Sequence, residues 1–187
     1  NPKPRILRLP KDNALINSLG FPSEGLNQII HNLNKSKNHN NPIILSISGL
    51  NINEILNCYK KLETYANAFE INISSPNTKG LKLFQDHKIL KELFIRLNKI
   101  RKKPIIVKIP PYTNTKNHIY ESVKYHEKDQ IMRIIQTCLE ESIDGLTVSN
   151  TTPIINNNLQ SKSGGLSGQP IFENMLEMIR DIKDEVG

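Results

Sequence analysis

Four short apolar runs, interleaved with stretches whose apolar residues recur at helical spacing, constrain this chain more than any other feature. Residues 42–47 (PIILSI) carry β-branched side chains between Asn-rich and Gly signals, the pattern of a buried strand. Residues 68–73 (AFEINI), 104–109 (PIIVKI) and 144–148 (DGLTV) read as further strands, the third stopped by Pro110 and Pro111. Between them, Ile55, Tyr59, Leu62 and Ala66 share one helical face. Ile89, Leu90, Leu93, Phe94, Leu97 and Ile100 share a second, and Ile131, Ile134, Ile135, Cys138 and Ser142 a third. Residues 171–186 predict a last helix, with Pro170 near its first turn.

Strands separated by helices pair in parallel, because each crossover returns the chain to the same end of the sheet. The choice is then an α/β doubly wound sheet or a (β/α)8 TIM barrel. A dinucleotide-binding sheet wants G-x-G-x-x-G after its first strand, and Ser46-Ile47-Ser48-Gly49 is not that turn. Barrels gather polar chemistry at the carboxyl ends of many strands. Here Ser46 and Ser48, then residues 72–77, then Lys108, then residues 149–152 occupy those ends, so the barrel is the expected fold. About four of its eight βα units are accounted for, and a half-barrel leaves two open parallel edges. The expectation is one partial barrel domain over residues 1–187, a fragment of a longer protein without the N-terminal strands and the C-terminal phosphate-binding strands.

Composition narrows the class. Apolar residues make up 37% and charged residues 23% of 187, enough for a packed core, and mean hydropathy is −0.43. No apolar run approaches the roughly 20 residues that span a bilayer, and Asn1-Pro2-Lys3-Pro4-Arg5 has no signal-peptide core. The net charge of +7 favours anions without choosing among phosphate, nucleic acid and acidic lipid. Because the cations are dispersed among Ile and Asn, as in AT-rich coding sequence, compositional drift outweighs a nucleic-acid surface and no nucleic-acid partner is expected. Cys58 and Cys138 fall in different predicted helices, which suits a reducing compartment. The five histidines show no metal-ligand spacing.

The sharpest string is Asn72-Ile73-Ser74-Ser75-Pro76-Asn77-Thr78-Lys79-Gly80. Asn72 and Asn77 each offer a donor and an acceptor, suited to the edge of an amide-bearing ring, and Ser75 sits between them. An ordinary βα turn has the same composition, so the string gains weight only from its company. Lys108 places a cation at the end of an apolar strand, costly to bury unless it faces an anion or polar ligand. Ser149-Asn150-Thr151-Thr152 ends the next strand, with at most half of its side chains facing a ligand. The loop 163–168 (SGGLSG) precedes a helix, and its glycines would let backbone N–H groups approach a cofactor.

Together these strings resemble the dihydroorotate dehydrogenase family of flavin enzymes. The resemblance runs from Asn1-Pro2-Lys3-Pro4-Arg5, Arg8-Leu9-Pro10 and Ile16-Asn17-Ser18-Leu19-Gly20-Phe21 through residues 72–80, Val107-Lys108-Ile109 and Ser149-Asn150-Thr151-Thr152 to Gly164-Gly165-Leu166-Ser167-Gly168. It implies an FMN-binding barrel that oxidises dihydroorotate to orotate in pyrimidine synthesis. By that likeness Ser75 is the catalytic base, and Thr78 and Phe21 frame its proton outlet. Asn17, Asn72, Asn77, Asn150 and Thr151 match the substrate-binding positions. Asn72, Lys108, Ser149, Gly168 and Ser46 match the flavin-binding positions, with Ser149 in place of a common threonine.

A serine base resembles the membrane-associated branch that passes electrons to quinone, docked peripherally through a segment not in this chain. Ser46-Ile47-Ser48-Gly49-Leu50 and Ile109-Pro110-Pro111-Tyr112 resemble the cytosolic branch instead. Two further readings stay open. An FMN-dependent tRNA dihydrouridine synthase should carry a reactive cysteine near the flavin, which the helical Cys58 and Cys138 do not offer. A non-catalytic RNA-binding module wants clustered cations with exposed aromatics, yet aromatics are only 5%. Residues 112–128, polar and charged, are expected to form a loop over the barrel mouth.

Overall fold

The computed structural model describes residues 3–35, 41–74, 83–112 and 127–187. The chain opens with an antiparallel hairpin of β1 (Ile6–Leu9) and β2 (Ala14–Asn17), turned through a left-handed Asn13 at φ 46°. Helix α1 (Leu26–Lys35) follows. Then comes the alternation read from the sequence: β3 (Ile44–Ile47), α2 (Ile52–Leu62), β4 (Ala68–Asn72), α3 (His87–Asn98), β5 (Ile105–Lys108), α4 (Lys128–Glu140) and β6 (Gly145–Thr147). Two more strands, β7 (Thr152–Ile155) and β8 (Ser163–Gly168), lead through a 3-10 turn into α5 (Phe172–Val186).

The four middle strands form one parallel sheet in the order β3-β4-β5-β6, each strand beside the next in sequence. Sequential parallel pairing with helical crossovers is the build of a (β/α)8 barrel, and this chain supplies about half of one. Phe69 and Ile71 of β4 and Ile105 and Val107 of β5 are wholly buried among Ile55, Tyr59, Leu93, Phe94, Ile134 and their neighbours on the helices. Burial of each such side chain contributes about 1.5–3 kcal/mol. Since side chains alternate, Glu70, Asn72, Ile106 and Lys108 take the opposite, concave face.

Local chemistry fixes the helix starts. Asn51 caps α2 by accepting from the Glu54 amide at 3.0 Å, while Glu54 returns the contact by accepting from Asn51 Nδ2 and from the Leu50 amide, each at 2.7 Å. Asp86 caps α3 by accepting from the amides of Lys88 and Ile89. Those two bonds, led by that from Ile89, hold its carboxyl below the ordinary aspartate range.

The structure corrects several boundaries. Ala66 lies past the end of α2 in extended backbone, after a 3-10 turn, and Ser142 lies past α4 at φ 52°. The larger correction is a second sheet, antiparallel, in the order β1-β2-β8-β7. Residues 163–168, expected to be a loop, are one of its two inner strands, and Thr152 opens β7 rather than closing the preceding strand. Their backbone is paired with β2 on one side and β7 on the other. The glycines serve this close packing. A Cβ on Gly165 would stand 2.0 Å from Thr151 Oγ1, and one on Gly164 would stand 2.7 Å from the Asn17 carbonyl oxygen. Ile16, Ile154, Leu159 and Leu166 form the small core of this sheet.

Of the segment 112–128, only its ends are described. The buried Tyr112 donates to Asp181 Oδ2 at 2.9 Å, and Lys128 Nζ lies 2.7 Å from the same oxygen. Both ends are thereby tied to α5, and the expected loop over the mouth lies outside the described residues.

Candidate functional site

The concave face of the parallel sheet is built in layers. Ser46, Glu70, Ile106 and Gly145 stand side by side in register, and Asn72, Lys108 and Thr147 form the next layer toward the carboxyl ends. Every strand therefore contributes a polar or small side chain to this end, which is what the strand-end residues of the sequence predict.

A hydrogen-bonded path crosses the mouth. Asn72 Oδ1 accepts from the Ser74 amide and from Ser74 Oγ, both at 3.1 Å. Asn150 Nδ2 donates to Ser74 Oγ at 3.0 Å, and Asn150 Oδ1 accepts from the Thr151 amide at 2.8 Å. The Asn150 amide donates to the Ile109 carbonyl at 3.1 Å, continuing the β5–β6 pairing past the strand ends. Ser74, 3% exposed, thus ties the loop after β4 to the loop after β6. It is the residue immediately before Ser75.

Lys108 stands between Asn72 and Thr147 in register. Among the described residues its ammonium makes no hydrogen bond or ion pair. A cation held so at the end of a strand is available to an anionic or electron-rich ligand.

The antiparallel sheet brings Asn17 in from the far end of the chain. Asn17 pairs with Gly165 in register and its Nδ2 donates to the Gly165 carbonyl at 3.5 Å. Because Gly165 lies against Thr151, Asn17 stands on the same side as the Asn150–Thr151 pair. Gly168 ends β8 at φ 101°, where a Cβ would meet the Asn13 carbonyl oxygen at 2.3 Å, so only glycine fits. Ser149 Oγ donates to the Asn150 carbonyl at 3.1 Å. Phe21, 45% exposed, lines a cavity of about 540 Å³ with Ser46, Ser48, Asn72, Leu26 and Ile29.

The structure therefore places Asn72, Lys108, Asn150, Thr151 and Ser149 around one mouth, with Ser46 on the adjacent layer and Asn17 delivered by the second sheet. Ser75, Asn77 and Thr78 lie outside the described residues. Two residues that the sequence reading did not single out belong to the same face. Ser46 Oγ donates to Glu70 Oε1 and Thr147 Oγ1 donates to Glu70 Oε2, each at 2.7 Å. The signal for Glu70 was its alternation with Asn72, which puts both on one face of the strand.

Cys58 of α2 lines the same cavity as Phe21, Ser46 and Asn72, while Cys138 of α4 is buried in the core between the helices and the sheet. Burial pushes the Cys138 thiol up to about 12, and burial, then the Glu54 charge, raises that of Cys58. Both are thiols poorly suited to nucleophilic chemistry. Among the described residues no cluster of His, Cys, Asp and Glu is arranged to hold a metal, and no helix is long and apolar enough to cross a membrane.

The family model for dihydroorotate dehydrogenase matches residues 1–187, the whole of the chain. A dihydroorotate dehydrogenase (quinone) of Janthinobacterium sp. (strain Marseille) is 33% identical across all of this chain and 57% of the relative. The enzyme of the same name from Thermus thermophilus is 30% identical over 98% of this chain and 53% of its own length. Among solved structures, the ligand-free dihydroorotate dehydrogenase of Eimeria tenella superposes with a TM-score of 0.78 at 28% identity, covering 99% of this chain and 58% of that one. The chain thus spans a little over half the length of the relatives it matches. It belongs to the dihydroorotate dehydrogenase family, which is flavin-dependent.

Proposed function

We propose that the protein containing these residues oxidises dihydroorotate to orotate with FMN in pyrimidine synthesis and passes the electrons to a quinone. The observation that carries this reading is the Asn72–Ser74–Asn150 path beside the ammonium of Lys108, which has no partner among the described residues. The donor set fits a flavin: a cation, carboxamides and hydroxyls at successive strand ends, with an apolar cavity beside them. Lys108, Asn72, Ser149, Gly168 and Ser46 would hold FMN, which supplies the hydride acceptor for the substrate's C6.

The chain's own residues perform the rest. The carboxamides of Asn17, Asn72, Asn77 and Asn150, with the Thr151 hydroxyl, offer donors and acceptors in the plane of a cyclic amide and hold the pyrimidine ring edge-on. Ser75 removes the C5 proton. A serine hydroxyl is a weak base, so its proton needs an outlet, which Thr78 and Phe21 frame. Ser74, fixed from both sides, anchors the chain entering that residue. The serine base and the relatives named as quinone enzymes support quinone as the electron acceptor. Peripheral contact with a membrane, through a segment outside these residues, follows from a lipid-soluble acceptor.

Anaerobic addition of dihydroorotate to the whole holoprotein tests the reading. The visible flavin absorption should bleach, and Ser75→Ala should slow the bleaching by about 100-fold or more. A yellow protein that dihydroorotate leaves unbleached would discard the substrate; reoxidation by fumarate but not by a quinone would discard the acceptor.

A further inference from the structure

Glu70 is a charged residue on the concave face of a barrel sheet, and its carboxylate is divided between two strands. Oε1 takes the hydroxyl hydrogen of Ser46 on β3 and Oε2 that of Thr147 on β6, both at 2.7 Å. A carboxylate has lone pairs and no hydrogen to give, so both hydroxyls must spend their only hydrogen on Glu70. What Ser46 and Thr147 then present to the mouth is acceptor lone pairs alone. Other polar groups there differ: Lys108 is a donor only, and the carboxamides of Asn72 and Asn150 are both donor and acceptor.

We infer that Glu70 is a positioning and specificity-determining residue that sets the hydrogen-bond polarity of the barrel mouth. By orienting Ser46 on β3 and Thr147 on β6 as acceptors, on either side of the donating Lys108 of β5, it selects a ring whose edge carries N–H donors. The inference rests on the flavin and pyrimidine reading above and extends it. Both the flavin isoalloxazine ring and the dihydroorotate ring carry such an N–H, and the experiment separates them.

The test is Glu70→Gln, which keeps the size and one acceptor oxygen but replaces the other by an NH₂ donor. One hydroxyl must then turn its hydrogen into the mouth and meet the ligand N–H donor to donor. The FMN dissociation constant is measured on the apoprotein by flavin fluorescence, and the orotate constant by titrating the holoprotein spectrum. Glu70→Gln is expected to weaken one of these about tenfold or more, a typical consequence of an unsatisfied polar contact. A loss in FMN affinity assigns the N–H to the flavin; a loss in orotate affinity assigns it to the pyrimidine. In the Ser46→Ala, Thr147→Val background the same substitution should have no effect, because Glu70 acts through the two hydroxyls. An equal loss in both backgrounds, or none in either, would overturn the inference while leaving the flavin assignment intact. Wild-type protein that takes up no FMN would overturn both.

Discussion

Replacing Gly165 by alanine should damage the site through the Thr151 side chain it lies against. The new Cβ would lie 2.0 Å from Thr151 Oγ1 and 2.7 Å from Thr151 Cβ. Reaching ordinary van der Waals contact requires Thr151 to retreat by about 1.4 Å, more than a side-chain rotation relieves because its Cβ is also too close. Thr151 is bonded through its amide to Asn150 Oδ1, and Asn150 Nδ2 to Ser74, so the displacement travels to the residue before the proposed base. Overpacking of this kind costs about 1–3 kcal/mol of stability, and misplacing a binding group by about 1 Å costs about 100-fold in rate. The assay is kcat/KM for dihydroorotate on the holoenzyme, with urea unfolding and flavin content measured in parallel. Gly145→Ala is the control: it sits in β6 and its Cβ would meet nothing closer than Ile106 Cγ1 at 3.7 Å. That variant should stay within about 0.5 kcal/mol of wild type and keep its rate. If Gly165→Ala retained wild-type stability and kcat/KM, or if the two alanines cost the same, the reasoning from the Gly165–Thr151 contact would be wrong.

Three further expectations follow from the rest of the fold. Tyr59→Phe removes the hydroxyl that accepts from the amides of Lys102 at 2.8 Å and Lys103 at 3.3 Å, while keeping the ring against Phe69. Urea unfolding should show a loss of about 1 kcal/mol, and a stabilised variant would contradict the assigned bond. Cys138 should resist alkylation at pH 8 in the native protein and react only in denaturant, since burial pushes its thiol up to about 12; rapid native labelling at this site would refute its burial. Asp86 carries a carboxyl held below its ordinary 3.8, so the stability it contributes is complete above that value and is lost as pH falls through the lower, folded one. Asp86→Asn keeps a capping side chain that does not titrate, and its melting temperature should fall less steeply below pH 3.8 than that of wild type.

The parallel sheet was legible because its strands are short apolar runs rich in β-branched residues, and the helices between them because Leu90, Leu93, Phe94 and Leu97 repeat at helical spacing. The antiparallel sheet was not. Ile6–Leu9 and Ala14–Asn17 are four residues each and carry no long alternation. Ser163–Gly168 is poor in strand-forming residues; it is a strand because it pairs with β2 on one side and β7 on the other, long-range contacts that propensity does not encode. At the site, Asn72 and Lys108 were readable as polar residues at the ends of apolar strands. Glu70 was hidden, since a carboxylate alternating with apolar residues reads equally as a solvent-facing position, and its hydroxyl partners lie 24 and 77 residues away.

The pairing of β2 with β8 also bears on the order in which this chain acquires its structure. Ala14 meets Gly168 and Asn17 meets Gly165, residues separated by about 150 positions. During synthesis at about 5–20 residues per second, the N-terminal hairpin must wait about 8–30 s for its partner strand to be made. The parallel strands, each closing over one helix, have no such delay, because their contacts span short stretches of chain. The concave face with Glu70, Asn72 and Lys108 can therefore be assembled while Asn17 is still unanchored, and the small sheet closes after it. A ribosome stalled before Ser163 would hold a nascent chain with its parallel strands paired and its β1–β2 hairpin exposed as an open edge, a natural recognition feature for a chaperone.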